Sequence, residues 1–217
     1  MRTSDLIERY PRLYHMAEKD AWPSIKSHGL LSTVAVLNRF NISGAVRIQI
    51  EEGHRPEKML IGAGRDGILI RDQKPMPPSR LADALVDGTS PAQWYRFLNG
   101  RVFMWAQESR LLGLLNARHY RDLEHDVLTL DTRELLSVYE DRVWLCRMNS
   151  GNTWPVPHPR GMGDFLRISE YPTKRTSGKP LKEVVEVVVD YSIPDVARYV
   201  IEVRRMRGTS ILATLPM

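Results

Sequence analysis

An α+β fold is the class this chain predicts, and three observations predict it. Short apolar runs such as Leu13–Met16, Val102–Trp105 and Val143–Arg147 have the length and alternation of strands. Capped segments of helical period lie between them, as at Ser90-Pro91 and Asp131-Thr132. The two kinds follow one another without the regular strand–helix–strand rhythm of a parallel sheet. No repeat and no linker interrupts them, so residues 1–217 read as a single domain, a size that one hydrophobic core can hold.

In chain order, residues 2–10 form a helix that must stop at Pro11, because the residue before proline avoids the helical region. The strand Leu13-Tyr14-His15-Met16 carries one histidine. A helix starts after Asp20 with Trp22-Pro23 in its first turn, where the missing proline N–H costs nothing, and ends at Gly29, suited to a left-handed cap. A short helix follows through Asn38-Arg39-Phe40. Glu57–Leu60 and Gly67–Arg71 are strands around a Gly62–Gly67 turn, and Lys74–Pro78 is a rigid extended loop. Ser79 caps a helix through Val86, and Ser90-Pro91 opens another that includes Trp94–Asn99. Val102–Trp105 is a buried strand, Glu108–Ala117 an apolar-faced helix, and Asp126–Leu130 a strand running into a helix over Arg133–Val138. Val143–Arg147, Glu183–Asp190 and Val200–Arg204 complete the strands. The long Gly/Pro-rich stretch Asn149–Gly163 is a loop of the kind that carries function.

Bulk composition narrows the classes. Hydrophobic residues at 42% and charged residues at 26% suit a globular protein rather than a disordered one. The one cysteine, Cys146, permits no internal disulfide and no cysteine metal cage; in an apolar strand it reads as buried. No leader-like segment opens the chain and no apolar run approaches the ~20 residues of a membrane span, so a cytoplasmic location is expected. The net charge of +5 suits a polyanionic partner, with basic residues gathered at Arg96–Arg101, Arg118–Arg121, Pro172–Lys182 and Arg198–Arg207. Dispersed solvated side chains would give the same total.

Several chemistries are excluded by pattern. The six histidines show no metal spacing, so no metal is expected. Gly62-Ala63-Gly64-Arg65-Asp66-Gly67 has the letters G-x-G-x-x-G without the strand–helix context of a dinucleotide loop, and neither a P-loop nor a G-x-S-x-G elbow is present.

Three segments together resemble the ADP-ribosyltransferase superfamily, most closely the DarT toxins, the tRNA 2′-phosphotransferases and the poly-ADP-ribose polymerases. The first is the strand with His15, then the helix to Gly29-Leu30-Leu31. The second is Arg101–Ala106 followed by a helix. The third is Glu183–Asp190 leading to Ile193-Pro194, where Glu186 interrupts a stripe of Val184 and Val188. The resemblance implies a split mixed or antiparallel β-sheet core with flanking helices, and NAD as co-substrate. It implies that His15 holds the nicotinamide-side ribose, that the backbone at Gly29 and Leu30 grips the carboxamide, and that Phe103 or Trp105 stacks on nicotinamide in place of the tyrosine many members carry. Glu186 would be the catalytic carboxylate. Arg71 either binds the NAD diphosphate or closes a solvated turn. Asn149, Ser150, Asn152, His158 and Arg160 in the long loop, with His119 and Tyr120 after a helix, either receive the acceptor or form ordinary surface.

The function expected on this resemblance is mono-ADP-ribosylation of nucleic acid by a toxin or defence enzyme with a possible antitoxin partner. A protein acceptor, or a non-catalytic nucleic-acid-binding module, is the alternative. The 2′-phosphotransferase reaction wants several Arg and His residues around a phosphate, which no segment supplies. Arg71-Asp72-Gln73 and Asn149–Gly161 also resemble an uncharacterised bacterial family that implies no activity.

Overall fold

The computed structural model describes the backbone of residues 1–217 and every side chain except that of Arg65. Helix α1 (Thr3–Arg9) stops before Pro11 and leads into β1 (Arg12–Glu18). In α2 (Trp22–His28) the Trp22 N–H is received by the buried Asp126 carboxylate at 3.1 Å. Gly29 ends that helix at φ +84°, and a Cβ there would lie 2.4 Å from the Cα of Pro194, so no other residue fits. β2 (Leu30–Leu31) precedes α3 (Thr33–Arg39), which Ser32 caps by accepting the Ala35 N–H. Helix α4 (Gly44–Glu52) has no counterpart in the sequence reading, because it exposes Val46 and Ile48 and buries Glu51. It shows no apolar stripe to read.

The hairpin β3 (Met59–Ile61) and β4 (Ile68–Ile70) follows. Helix α5 (Pro78–Ala84) is capped at Pro77 rather than Ser79 and ends two residues before Val86. Helix α6 (Pro91–Asn99) has a reciprocal cap between Ser90 and Gln93. Next come β5 (Arg101–Trp105), α7 (Glu108–Leu115), β6 (Glu124–Asp131), α8 (Thr132–Tyr139) capped by Asp131, and β7 (Val143–Cys146). The chain ends with β8 (Phe165–Arg167), β9 (Glu186–Asp190), β10 (Ser192–Ile193), β11 (Val200–Arg207) and β12 (Ser210–Thr214). β8 is only three residues long and β12 is an exposed edge, so neither carries the alternation that marks a half-buried strand.

Eight strands form one sheet in the order β12-β11-β6-β1-β5-β9-β7-β8, and every neighbouring pair is antiparallel. Parallel pairing, open under the mixed sheet expected above, is absent from it. The sheet is unevenly knit. β1 pairs with β6 from Arg12↔Asp131 to Glu18↔His125, and β5 with β9 from Arg101↔Asp190 to Trp105↔Glu186. β1 and β5 share the single pair Tyr14↔Trp105.

Alternation sorts the core onto two faces. Leu13, Ala17, Val102, Met104, Val187 and Val189 belong to one buried cluster. Phe103, Val188 and Cys146 pack on the other face with Trp94, Tyr95 and Phe165, beside Tyr14, Trp105 and Val127 over α7. Val184 lies outside β9 and packs in the first cluster, its N–H donated to the Tyr10 hydroxyl at 3.1 Å. The stripe expected for Glu186 therefore keeps Val188 and loses Val184.

Candidate active site

Where β1 and β5 stop pairing, a cleft of about 1300 Å³ opens. Leu30, Leu31 and Ser32 line one side, the β3–β4 hairpin contributes Leu60 and Leu69, and the segment after β7 contributes Asn149 to Asn152. His15, Phe103, Trp105 and Glu186 all line it.

The register Tyr14↔Trp105↔Glu186 places those three side chains on one face, so alternation turns His15 to the other. His15 reaches the cleft because its strand has left its neighbour. Its Nδ1 lies 2.8 Å from the carbonyl oxygen of Phe103. A carbonyl only accepts, so Nδ1 carries the hydrogen and Nε2 keeps a lone pair. Burial pushes the imidazole down to about 4, against the pull of the Phe103 carbonyl and with the help of the Arg71 charge. At neutral pH His15 is an uncharged acceptor.

Glu186 is 5% exposed and opens β9 between Trp105 of β5 and Cys146 of β7. Its Oε1 accepts the Ser150 N–H at 3.2 Å, while its buried Oε2 has no partner. Burial raises the carboxyl to about 7, opposed by Ser150 and by the charge of Arg160. An unpaired buried carboxylate oxygen is costly, and no packing need explains it. Burial and the Glu186 charge hold the Cys146 thiol up, so it is inert, as expected of a buried cysteine.

The remaining expected residues separate into those that line the cleft and a group outside it. Trp105 stands directly beside Glu186, whereas the Phe103 ring also packs edge-on against Phe165, 6.5 Å between centroids. Arg71 lines the cleft, 4.9 Å over the Tyr120 ring and 3.5 Å from Glu18. His119 and Tyr120 line the cleft as well, Tyr120 beside Arg71. Tyr120 is buried there between Arg71 and His125, so it is wall rather than an open acceptor contact. In the 149–154 segment, Asn149 and Asn152 bond within their own loop, to the Gly151 N–H and to the Trp154 backbone. Ser150 serves Glu186 through its N–H.

Four expected contact residues fail on geometry. Gly29 does not line the cleft; its N–H is spent on Ile25 and its lack of a side chain admits Pro194. Leu30 lines the cleft, but its backbone is paired with Ile193. His158 and Arg160 lie outside it as well: Arg160 is 2% exposed and its guanidinium is consumed by backbone carbonyls.

Trp154, within the loop expected to meet the acceptor but not among the contact residues expected there, is 53% exposed on the cleft wall. The Arg80 guanidinium lies 3.7 Å over its ring and donates to the carbonyls of Thr153 and Pro155. A tryptophan in a Pro/Gly-rich loop was the available signal; its partner on α5 was not readable. Part of the basic character is neutralised in the fold. Arg204, Arg205 and Arg207 are paired with Glu108, Asp126 and Glu124. Lys174, Arg175, Lys179 and Lys182 are exposed on the loop that leads into β9. Among the described residues no group of three His, Cys, Asp or Glu could hold a metal ion, and no helix is long and apolar enough to cross a membrane.

Fold and site thus define an α+β protein whose split sheet encloses a cleft with a neutral histidine and a buried carboxylate. The chain belongs to the DUF7002 family, a family of unknown function, whose model matches residues 11–200 and so spans both groups. It matches no curated protein and no solved structure.

Proposed function

We propose that this protein is an NAD-dependent mono-ADP-ribosyltransferase acting on nucleic acid, of toxin or defence type. The observation that carries the reading is that His15, Trp105 and Glu186, from adjacent strands, line one cleft, His15 from the sheet face opposite to the other two. Those are positions the family resemblance marks for ribose, nicotinamide and catalysis.

The residues present fit NAD. Neutral His15 offers Nε2 to a ribose hydroxyl, Trp105 offers a ring face, and Arg71 offers a planar fork for the diphosphate. The volume exceeds the ~300–1,000 Å³ of drug-sized pockets, leaving room for an acceptor. Breaking the ribose C1–nicotinamide bond sends the bonding pair onto nicotinamide, which leaves neutral while positive charge develops on the ribose. Ionised Glu186 stabilises that charge. An acceptor oxygen or nitrogen then bonds to C1 and gives its proton to the same carboxylate. The acceptor would meet the 149–154 segment, where Trp154 presents a flat face of the kind on which unpaired bases stack. The exposed lysines and arginine at 174–182 suit a polyanion.

The test is a melting scan with NAD, followed by labelled NAD offered separately to DNA, RNA and protein. A rise in melting temperature that His15→Ala abolishes, with label on nucleic acid, supports the reading. No shift at millimolar NAD overturns the enzyme reading and favours a binding module. Label on protein alone overturns the acceptor.

A further inference from the structure

Arg160 is nearly as inaccessible as any side chain in the molecule, at 2% exposure, and its three hydrogen bonds all go to backbone carbonyls. They reach His158 at 3.1 Å, Ser150 at 3.1 Å and Asn149 at 3.5 Å. The last of these is the informative one. The Asn149 carbonyl and the Ser150 N–H are two ends of one peptide group, and that N–H donates to Glu186 Oε1 at 3.2 Å. A cation at the oxygen end polarises the group and strengthens its N–H as a donor. The Arg160 backbone is itself fixed to Ala84 and Val86.

We propose that Arg160 is the positioning residue of Glu186, acting through the Asn149–Ser150 peptide to hold one carboxylate oxygen and leave the buried Oε2 unpaired. Burying a guanidinium with no carboxylate bonded to it is expensive, and the assignment gives that expense a purpose. The groups facing Glu186 are few. Cys146 on β7 is a neutral thiol, Trp105 on β5 is uncharged, and Asp164 nearby is paired with Arg147 at 2.8 Å. Arg160 supplies the positive charge. The catalytic consequence rests on the function proposed above; the electrostatic one does not.

The experiment is an NMR titration of the full chain, with the Glu186 carboxyl carbon assigned by its loss in Glu186→Gln. In the unsubstituted protein the Ser150 amide and the Arg160 guanidinium nitrogens should shift with the same midpoint as Glu186, near pH 7. Arg160→Gln should raise the Glu186 midpoint by about one pH unit or more, a tenfold change, and Arg160→Lys by less. A folded Arg160→Gln with an unchanged midpoint overturns the proposal. So does an equal shift in both variants, which would mean only that the loop had moved. If neither variant folds, Arg160 nitrogens indifferent to pH across the Glu186 midpoint in the unsubstituted protein overturn it as well. With labelled NAD, the acid limb of the transfer profile should move with the midpoint in Arg160→Gln. Linked titrations without any transfer would support the positioning role and sink the enzyme reading.

Discussion

His15 and Phe103 are joined by a 2.8 Å contact, imidazole Nδ1 to carbonyl oxygen, across two strands that otherwise share one residue pair. The side chain thus bridges the sheet at the point where its backbone ladder gives out. The same bond selects the tautomer, so the position that holds the split together also sets which nitrogen remains to accept. Glu186 enters from the opposite face of the sheet, beside Trp105. A site assembled this way has no shared strand face to advertise it.

Glu186→Gln should lower transfer turnover by ~10²–10³ while leaving NAD affinity near normal, since the carboxylate acts on charge present only in the transition state. The substitution should also stabilise the fold at high pH. The carboxyl rises from 4.5 to about 7 on folding, so between those values the native state keeps a proton the unfolded chain has lost. Stability from this group is present below pH 4.5 and lost as pH rises through 7. Denaturant unfolding at pH 8 should show the variant more stable by on the order of 3 kcal/mol, with the advantage shrinking toward pH 4.5. A variant less stable at pH 8 than the unsubstituted protein would contradict this.

Acid should act in the opposite sense through His125, which is fully buried with neither ring nitrogen bonded. Burial pushes it from 6.5 to about 4, with the Arg71 charge adding to the effect. As pH falls from 6.5 toward 4 the unfolded chain binds the proton first, and stability is lost. His125→Phe removes two orphaned polar atoms and should gain about 1 kcal/mol at pH 7. Its loss of melting temperature between pH 6.5 and 4 should also be smaller, and an unchanged slope would refute the assignment.

Gly29→Ala tests the close approach between α2 and the segment after β10. The new methyl would meet the Pro194 backbone at 2.4 Å from a backbone held at φ +84°. We expect a loss of about 2 kcal/mol or more, read as a melting temperature lower by several degrees. A neutral substitution would mean that Pro194 can withdraw.

Trp154→Ala should leave folding and NAD binding intact, because the ring is 53% exposed and Trp154 is none of the residues assigned to NAD. Loss of one stacking face is worth about 1–3 kcal/mol per base, so the KM for a nucleic-acid acceptor should rise tenfold or more. An unchanged KM would remove Trp154 from the acceptor path.

Local signals were legible. Gly29 ends its helix, and Ser90 and Asp131 cap theirs, because a cap needs only residues a few positions apart. The strands around His15 and Phe103 and the burial of Cys146 follow from alternation and apolar character. Other features carried no local signal. Helix α4 buries a glutamate and exposes valine and isoleucine, and β12 is an edge whose side chains are all exposed. Arg160 was expected among the acceptor contacts and Arg80 carried no signal, yet each is spent on carbonyls of a loop far along or doubling back in the chain.

By itself, then, the sequence determined the class of fold, most element positions and which strands carry a histidine and a carboxylate. These depend on short-range periodicity and capping. Only the tertiary structure decided that β1 parts from β5 after Tyr14↔Trp105, that His15 fills the breach, and that Arg160 backs Glu186 through a peptide group. Those outcomes depend on which distant backbones run out of partners, and a buried polar group takes whatever donor or acceptor the folded chain leaves unpaired.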